Sequence, residues 1–479
     1  MRNAVILTSL LGLGLLAGCP DRTISEVSPE QGRVEYKDIP VNVSRKVDIL
    51  FVIDDSPSML DKQTNLKANF PNFINVLNTI QGGLPDVHIG VVTSDLGASG
   101  ADGMTAPSIG GSAQGGCSGT GKNGALQTFA AGMTITGKYI SDAPPTVMGG
   151  MRMTNYTGSL ATAFSAIASA GANGCGFEQH IEAAKRALQP SNTANAGFLR
   201  SDAFLAVIII ADEDDCSMQH STLLAADTSQ LGPLQSFRCT RFGITCDTGG
   251  ATSDAMNQVG PKSACHSNES GQYLTKIADY VTFFKGLKPD DNSKVIMAAI
   301  SGVTTPVETE LRAPGGSTTA IPALAHSCTY TDPSNMAEVA DPAIRIHELL
   351  DSFPNRSTFS TICQQDLSGG LTLIAQLLKT ALGSPCIDGT LATPYDCSVS
   401  DVQNYGKANQ QETILPECNN TTTPASSTNV PCWAIETDPM CSAGQHLTLK
   451  IERGGTATPP DGTHTISYCV TQAGPGSGG

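Results

Sequence analysis

The chain has 479 residues, 44 acidic against 28 basic, and a formal net charge of −16 at pH 7. With no run of Lys and Arg, it lacks the electrostatic footprint of a nucleic-acid binder, and nucleic acid is excluded as a partner. Beyond Leu16 no apolar stretch is long enough to cross a bilayer as a helix.

Met1-Arg2-Asn3 is a short basic start, Ala4 to Leu15 is apolar, and Leu16-Ala17-Gly18-Cys19 follows. An apolar stretch of that length is a secretory leader rather than a membrane span. Its Leu-Ala-Gly-Cys ending resembles a bacterial lipobox. That resemblance implies removal of residues 1–18, lipid attachment at Cys19 and anchoring in a bacterial cell envelope, in the outer membrane or at the cell surface. The alternative is an ordinary cleaved leader with a cysteine nearby. Residues 19–43 are polar and aperiodic, and are expected to be a tether.

Fourteen of the fifteen cysteines remain after Cys19. An even number in an exported chain suggests up to seven disulfides. No Cys-x-x-Cys pair occurs, which argues against zinc ribbons and dithiol redox centres.

Lys46 to Ile53 is a run of mainly apolar residues that breaks into Asp54-Asp55-Ser56-Pro57-Ser58. The run predicts a buried parallel strand, which delivers Asp54, Ser56 and Ser58 to its carboxyl end, where open α/β sheets bind ligands. One carboxylate and two hydroxyls on alternate residues suit a hard cation, Mg²⁺ above all, which takes six oxygens at about 2.1 Å. The competing reading is that these residues only cap the next helix. Asp-x-Ser-x-Ser after such a strand resembles the first motif of a von Willebrand factor A domain, whose metal-ion-dependent adhesion site begins with that pattern.

Leu66, Phe70, Phe73, Ile74 and Leu77 then recur at helical spacing, with Pro71 expected to kink or restart the helix. Val87 to Thr93 predicts a second strand, with Asp95 after it as a loop cap. Residues 96–150 are rich in Gly, Ser, Thr and Ala, and so long a loop is expected to carry hairpins and a disulfide. Helices are predicted over Leu160 to Ala170 and Phe177 to Leu188.

Phe204 to Ala211 carries the strongest buried-strand signal, and it ends in Asp212-Glu213-Asp214-Asp215. Asp212 matches the family's third motif, an Asp that reaches the metal through water. Glu213 to Asp215 are read as a solvated acidic turn rather than a calcium site. The family's second motif is a Thr, and the matching loop, Gly171 to Gln179, has none. Glu178 is its nearest oxygen ligand, and it is either a fifth metal ligand or a first-turn helix acid; Thr157 lies further upstream.

A second insertion, within 213–269, is expected to close through two bridges formed by Cys216, Cys239, Cys246 and Cys265. A helix over Tyr273 to Leu287 with Ser270 as cap, a strand over Lys294 to Ile300 and a third insertion at 303–339 come next. A helix starting at Asp341-Pro342, a last strand over Ser357 to Cys363 and a closing helix marked by Leu371, Ile374, Leu377 and Leu378 complete the body. The expected fold is a doubly wound, mainly parallel α/β sheet of von Willebrand A type over 44–383. A cysteine-rich, β-rich module over 384–473 and a disordered tail at 474–479 follow it.

The resemblance implies a protein or extracellular-matrix ligand bound through Mg²⁺ or Mn²⁺, with Ca²⁺ a further candidate. A structural or assembly module with a decayed site is one alternative. A metal-dependent hydrolase built on Asp54, Asp212 and Glu178 is the other. None of the eight histidines lies in a His-Glu-x-x-His helix, and no Gly-x-Ser-x-Gly elbow or phosphate loop is present. His180 is read as a surface residue.

Overall fold

The computed structural model describes residues 33–40 and 45–471, apart from 81–82, 111–115, 129–134, 146–149, 290–291, 315–316, 333–335, 383–385, 388–389, 406–408, 438–444, 455–458 and 460–462. The leader, Cys19 and the expected disordered tail lie outside the described residues.

Seven strands form the central sheet: β1 (Lys46–Ile53), β2 (Asp86–Thr93), β3 (Ile140–Ala143), β4 (Met153–Thr154), β5 (Phe204–Ile210), β6 (Val295–Ser301) and β7 (Ser357–Thr361), in the order β7-β6-β5-β1-β2-β3-β4. The five strands from β7 to β2 are parallel. β3 runs antiparallel to β2, and β4 antiparallel to β3, so the Gly-rich stretch contributes an edge hairpin. The chain order reverses between β1 and β5, which makes the carboxyl edge between them a topological switch point.

Among the described residues six helices cover the sheet: α1 (Leu60–Asn78), α2 (Leu160–Ile167), α3 (His180–Leu188), α4 (Ile277–Gly286), α5 (Ile344–Asp351) and α6 (Ser368–Ala381). Alternation along β1 divides it between two cores. Val47, Ile49, Phe51 and Ile53 face α1, α2 and α6, while Leu50 and Val52 face α3, α4 and α5. In the first core Phe51 meets Phe70, Phe73 and Phe164, with Phe70 stacked on Phe164. Every residue of β5 is buried, and each such Ile or Leu contributes roughly 1.5–3 kcal/mol.

Pro71 does not restart its helix: α1 runs continuously through it. Pro71 lies on the exposed side, where water can serve the carbonyl that loses its N–H partner, while Phe70 and Phe73 hold the helix to the sheet. Ser270 does not cap α4; the Glu269 carboxylate does, accepting from the Ile277 and Ala278 N–H groups at 2.9 and 3.3 Å. Asp341 does not cap α5 either. It is engaged by His326 Nδ1 at 2.6 Å, and Asp214, distant in sequence, accepts from the Arg345 and Ile346 N–H groups.

Six disulfides join described cysteines. Cys117–Cys175 pins the first insertion, and Cys216–Cys239 with Cys246–Cys265 close the second as expected. Cys328–Cys363, Cys397–Cys469 and Cys418–Cys432 complete them. The second and third insertions are not separate: Ile244–Thr248, Gly260–Ser267, Val307–Arg312 and Ile321–Leu324 share one sheet. The carboxyl-terminal region has a sheet of three strands and another of four. The latter includes Arg33–Pro40, paired antiparallel with His464–Thr471. Part of the expected tether is therefore a strand, because backbone pairing with a distant partner leaves no periodicity to read locally.

Candidate metal and ligand site at the carboxyl rim

Beyond β1 the chain turns sharply, and Asp54 is fixed by its N–H, which donates to the Ile210 carbonyl at 3.0 Å. Its Oδ1 accepts from the Ser56 N–H at 2.8 Å and from Ser94 Oγ at 3.2 Å. Ser56 Oγ lies 3.0 Å from Ser58 Oγ, which donates to Asp212 Oδ1 at 3.2 Å. Asp54, Ser56, Ser58 and Asp212 thus form one connected oxygen cluster across the switch point, although Asp212 is 154 residues from Ser58. The helix-cap reading of the two serines does not hold, since neither Ser56 nor Met59 makes a side-chain cap to the helical turns that follow.

Asp54 is fully buried, and among the described residues its Oδ2 has no hydrogen-bond partner. A buried carboxylate oxygen without a donor is costly in a low-dielectric site, and a cation, either a metal ion or the imidazolium of His180 facing it, would satisfy it. His180 is not a surface residue. It is fully buried at the start of α3, with Nε2 3.5 Å from Asp54 Oδ2, and among the described residues neither ring nitrogen has a hydrogen-bond partner. Burial alone would lower its pKa, but the facing Asp54 carboxylate raises it above the usual imidazole value.

Asp212 is 2% exposed. Burial first, and then the Asp54 charge, push its carboxyl up to about 7, against the opposing pull of Lys62. Glu178 is buried as well and lines the same cleft as Glu213. Burial and the Glu213 and Asp54 charges hold Glu178 well above the ordinary glutamate range, while burial raises Glu213 to about 8. Burial therefore favours the protonated form of both carboxyls near neutral pH. Glu178 also fixes the loop, its carbonyl accepting from Cys216 N–H at 2.7 Å. Thr157 is exposed and stands away from the rim cleft.

The expected solvated acidic turn is corrected. Asp214 caps α5, and Asp215 is 1% exposed, accepts from the Ile181 N–H at 2.9 Å and pairs with the buried Arg345. Their proximity in sequence hid that each belongs to a different helix end. Asp95 does cap its loop, accepting from Gly97 N–H at 2.8 Å.

Several rim groups carried no usable sequence signal. Asp55 pairs with Lys122 Nζ at 2.6 Å, and burial raises its carboxyl to about 6 despite that partner. Gly174 packs against Asp55 so closely that a Cβ there would collide with the carboxylate. Ser94 and Lys62 reach the cluster from β2 and α1.

An open cleft of about 490 Å³ lies over the serines. Ser56, Ser58, Glu178 and Glu213 line it together with Ile109 and Gly116 of the first insertion and Leu234 to Ser236 of the second. A neighbouring cleft of about 290 Å³ shares Glu178, Glu213, Gln235 and Ser236 and extends to Arg312 and His326. Among the described residues, no three His, Cys, Asp or Glu side chains form a metal-holding group by themselves. The cluster relies on serine hydroxyls for half of its donors, as a hard-cation site can. No helix among the described residues is long and apolar enough to cross a membrane.

No protein-family model matches the chain. No curated protein matches it in sequence. Among solved structures, the pilus adhesin RrgA of Streptococcus pneumoniae aligns over 92% of this chain and 58% of its own at 10% identity, with a TM-score of 0.27. Three N-terminal domains of the type V pili tip protein Mfa5 of Porphyromonas gingivalis align over 93% and 69% at 12% identity, with a TM-score of 0.21. The chain thus spans little more than half the length of the first of these structures.

Proposed function

We propose that the central sheet is a von Willebrand A-like domain that binds a protein or extracellular-matrix ligand through a divalent cation at its carboxyl rim, on a lipoprotein anchored to the bacterial cell envelope through Cys19. The observation that carries this reading is the convergence of Asp54, Ser56, Ser58 and Asp212 at the switch point, with a buried Asp54 oxygen that no described residue donates to. Asp54, Ser56 and Ser58 would hold Mg²⁺ or Mn²⁺, or less fittingly Ca²⁺, with Asp212 behind them and Glu178 facing the cleft. When bound, the cation supplies a Lewis-acidic position for an anionic group of the ligand. The serines contribute no formal charge, and Glu178, protonated together with Glu213, contributes little. The cation would therefore keep charge for a carboxylate entering through the cleft.

The full chain, with disulfides formed, is melted in EDTA, Mg²⁺, Mn²⁺ and Ca²⁺ beside Asp54→Ala. Metal at a hundred times its dissociation constant stabilises the folded state by about 2.7 kcal/mol. A rise in melting temperature in the parent and none in the variant is expected. Equal shifts in both proteins, or no shift in either, would refute the metal reading. A metal-independent assembly role is the second reading, favoured by Lys62, which already neutralises Asp212. Partner capture that is insensitive to chelator would support it.

A further inference from the structure

Lys62 lies in the first turn of α1, four residues after Ser58, and is 1% exposed. A lysine so deeply buried must have its charge compensated. Its Nζ stands 3.2 Å from Asp212 Oδ2, 2.8 Å from Glu338 Oε2 and 3.5 Å from Asp61 Oδ1, and donates to the Ser58 carbonyl at 3.0 Å. Two of these partners, Asp212 and Ser58, belong to the proposed cation cluster.

The ammonium cannot swing away easily. Glu338 is on the strand Ala337–Ala340, which pairs with Cys328–Thr331, and Cys328 is bridged to Cys363 beyond β7. Tyr330 of the same hairpin donates its hydroxyl to Asp61 and places its ring 6.0 Å from Nζ. The Asp341 N–H at the end of the hairpin donates to the Asp212 carbonyl at 2.8 Å. The hairpin therefore grips both the lysine and the aspartate that the lysine neutralises.

We infer that Lys62 is a built-in counter-ion of the rim cluster, held in place by the disulfide-tied hairpin, and that it sets the cluster's affinity for divalent cations. This rests on the metal reading. Like charges a few ångströms apart repel strongly where water is excluded. A divalent cation therefore enters against the ammonium and finds the Asp212 charge already spent. Lys62 makes the site weak for metal alone and keeps a bound cation electropositive.

The test is calorimetric titration of Mn²⁺ into the full, oxidised chain at pH 8, comparing the parent with Lys62→Gln and Lys62→Met. Gln keeps a donor for the Ser58 carbonyl, and Met keeps the length of the side chain. Melting in EDTA reports whether each variant is folded. Both variants, or whichever is folded, are expected to bind Mn²⁺ at least tenfold more tightly, a gain of about 1.4 kcal/mol. Binding by the variants where the parent shows none also supports the counter-ion role of Lys62, while refuting metal binding by the parent itself. Equal or weaker binding in the variants than in a parent that binds overturns it and leaves the metal reading standing. A merely structural lysine would lower the EDTA melting temperature and leave Mn²⁺ affinity unimproved. No Mn²⁺ binding by parent or variants overturns both.

Discussion

Replacing Arg345 with methionine removes the charge that holds the floor of the rim together. The guanidinium is 1% exposed. Its Nε donates to the Asp215 carbonyl at 3.1 Å, its terminal nitrogens reach Ser267 Oγ at 2.8 Å and the Thr275 carbonyl at 2.7 Å, and it pairs with Asp215 Oδ2 at 3.3 Å. Asp215 in turn accepts from the Ile181 N–H and from Ser217 Oγ. Methionine fills most of the volume but leaves a buried carboxylate without its cation and three acceptors without this donor. Breaking one side of a buried pair costs about 3–5 kcal/mol, and the apolar replacement returns only a small part of it. The midpoint of urea unfolding of the oxidised protein, followed by circular dichroism, is expected to fall by the equivalent of at least 3 kcal/mol. In the double variant with Asp215→Asn the loss should be less than the sum of the single losses, by more than 1 kcal/mol. A single-variant loss below 1 kcal/mol, or strict additivity, would refute the view that this pair anchors the rim.

The other predictions concern pH and covalent structure. Glu213 titrates near 8 in the folded state, well above an ordinary glutamate. The stability that its protonation contributes is complete below pH 4 and is lost as pH rises through 8. Melting temperature in EDTA should therefore fall between pH 5 and pH 8.5, and Glu213→Gln should flatten that fall; an unchanged slope would contradict the assignment. Removing Cys117–Cys175 by paired serine substitution opens a loop of 58 residues, for which chain entropy predicts a loss of about 4 kcal/mol. A loss under 1 kcal/mol in denaturant unfolding would show that the first insertion does not depend on its bridge. The Asp54→Ala melts and the Lys62 titrations complete the set.

The sequence by itself was enough to identify the strands of the parallel core. β5 and β6 are nearly continuous apolar runs and β1 and β2 mainly apolar ones, and burial on both faces of a sheet demands such runs locally. It also identified Asp54, Ser56 and Ser58 as neighbours, because their spacing within one turn brings them together whatever the rest of the chain does. That the second insertion's four cysteines bridge among themselves was legible for a similar reason, since all four fall in one short segment, while which cysteine pairs with which was decided by the structure. What the tertiary structure decided is everything that joins distant segments: Lys62 against Asp212 and Glu338, Asp214 and Asp215 as caps of two different helices, His180 turned inward onto Asp54, and Arg33–Pro40 completing a sheet with His464–Thr471. A short strand, a lysine or a run of acids carries the same local propensity whether it is solvated or buried. Only the partner brought to it by the fold determines its charge state and its role.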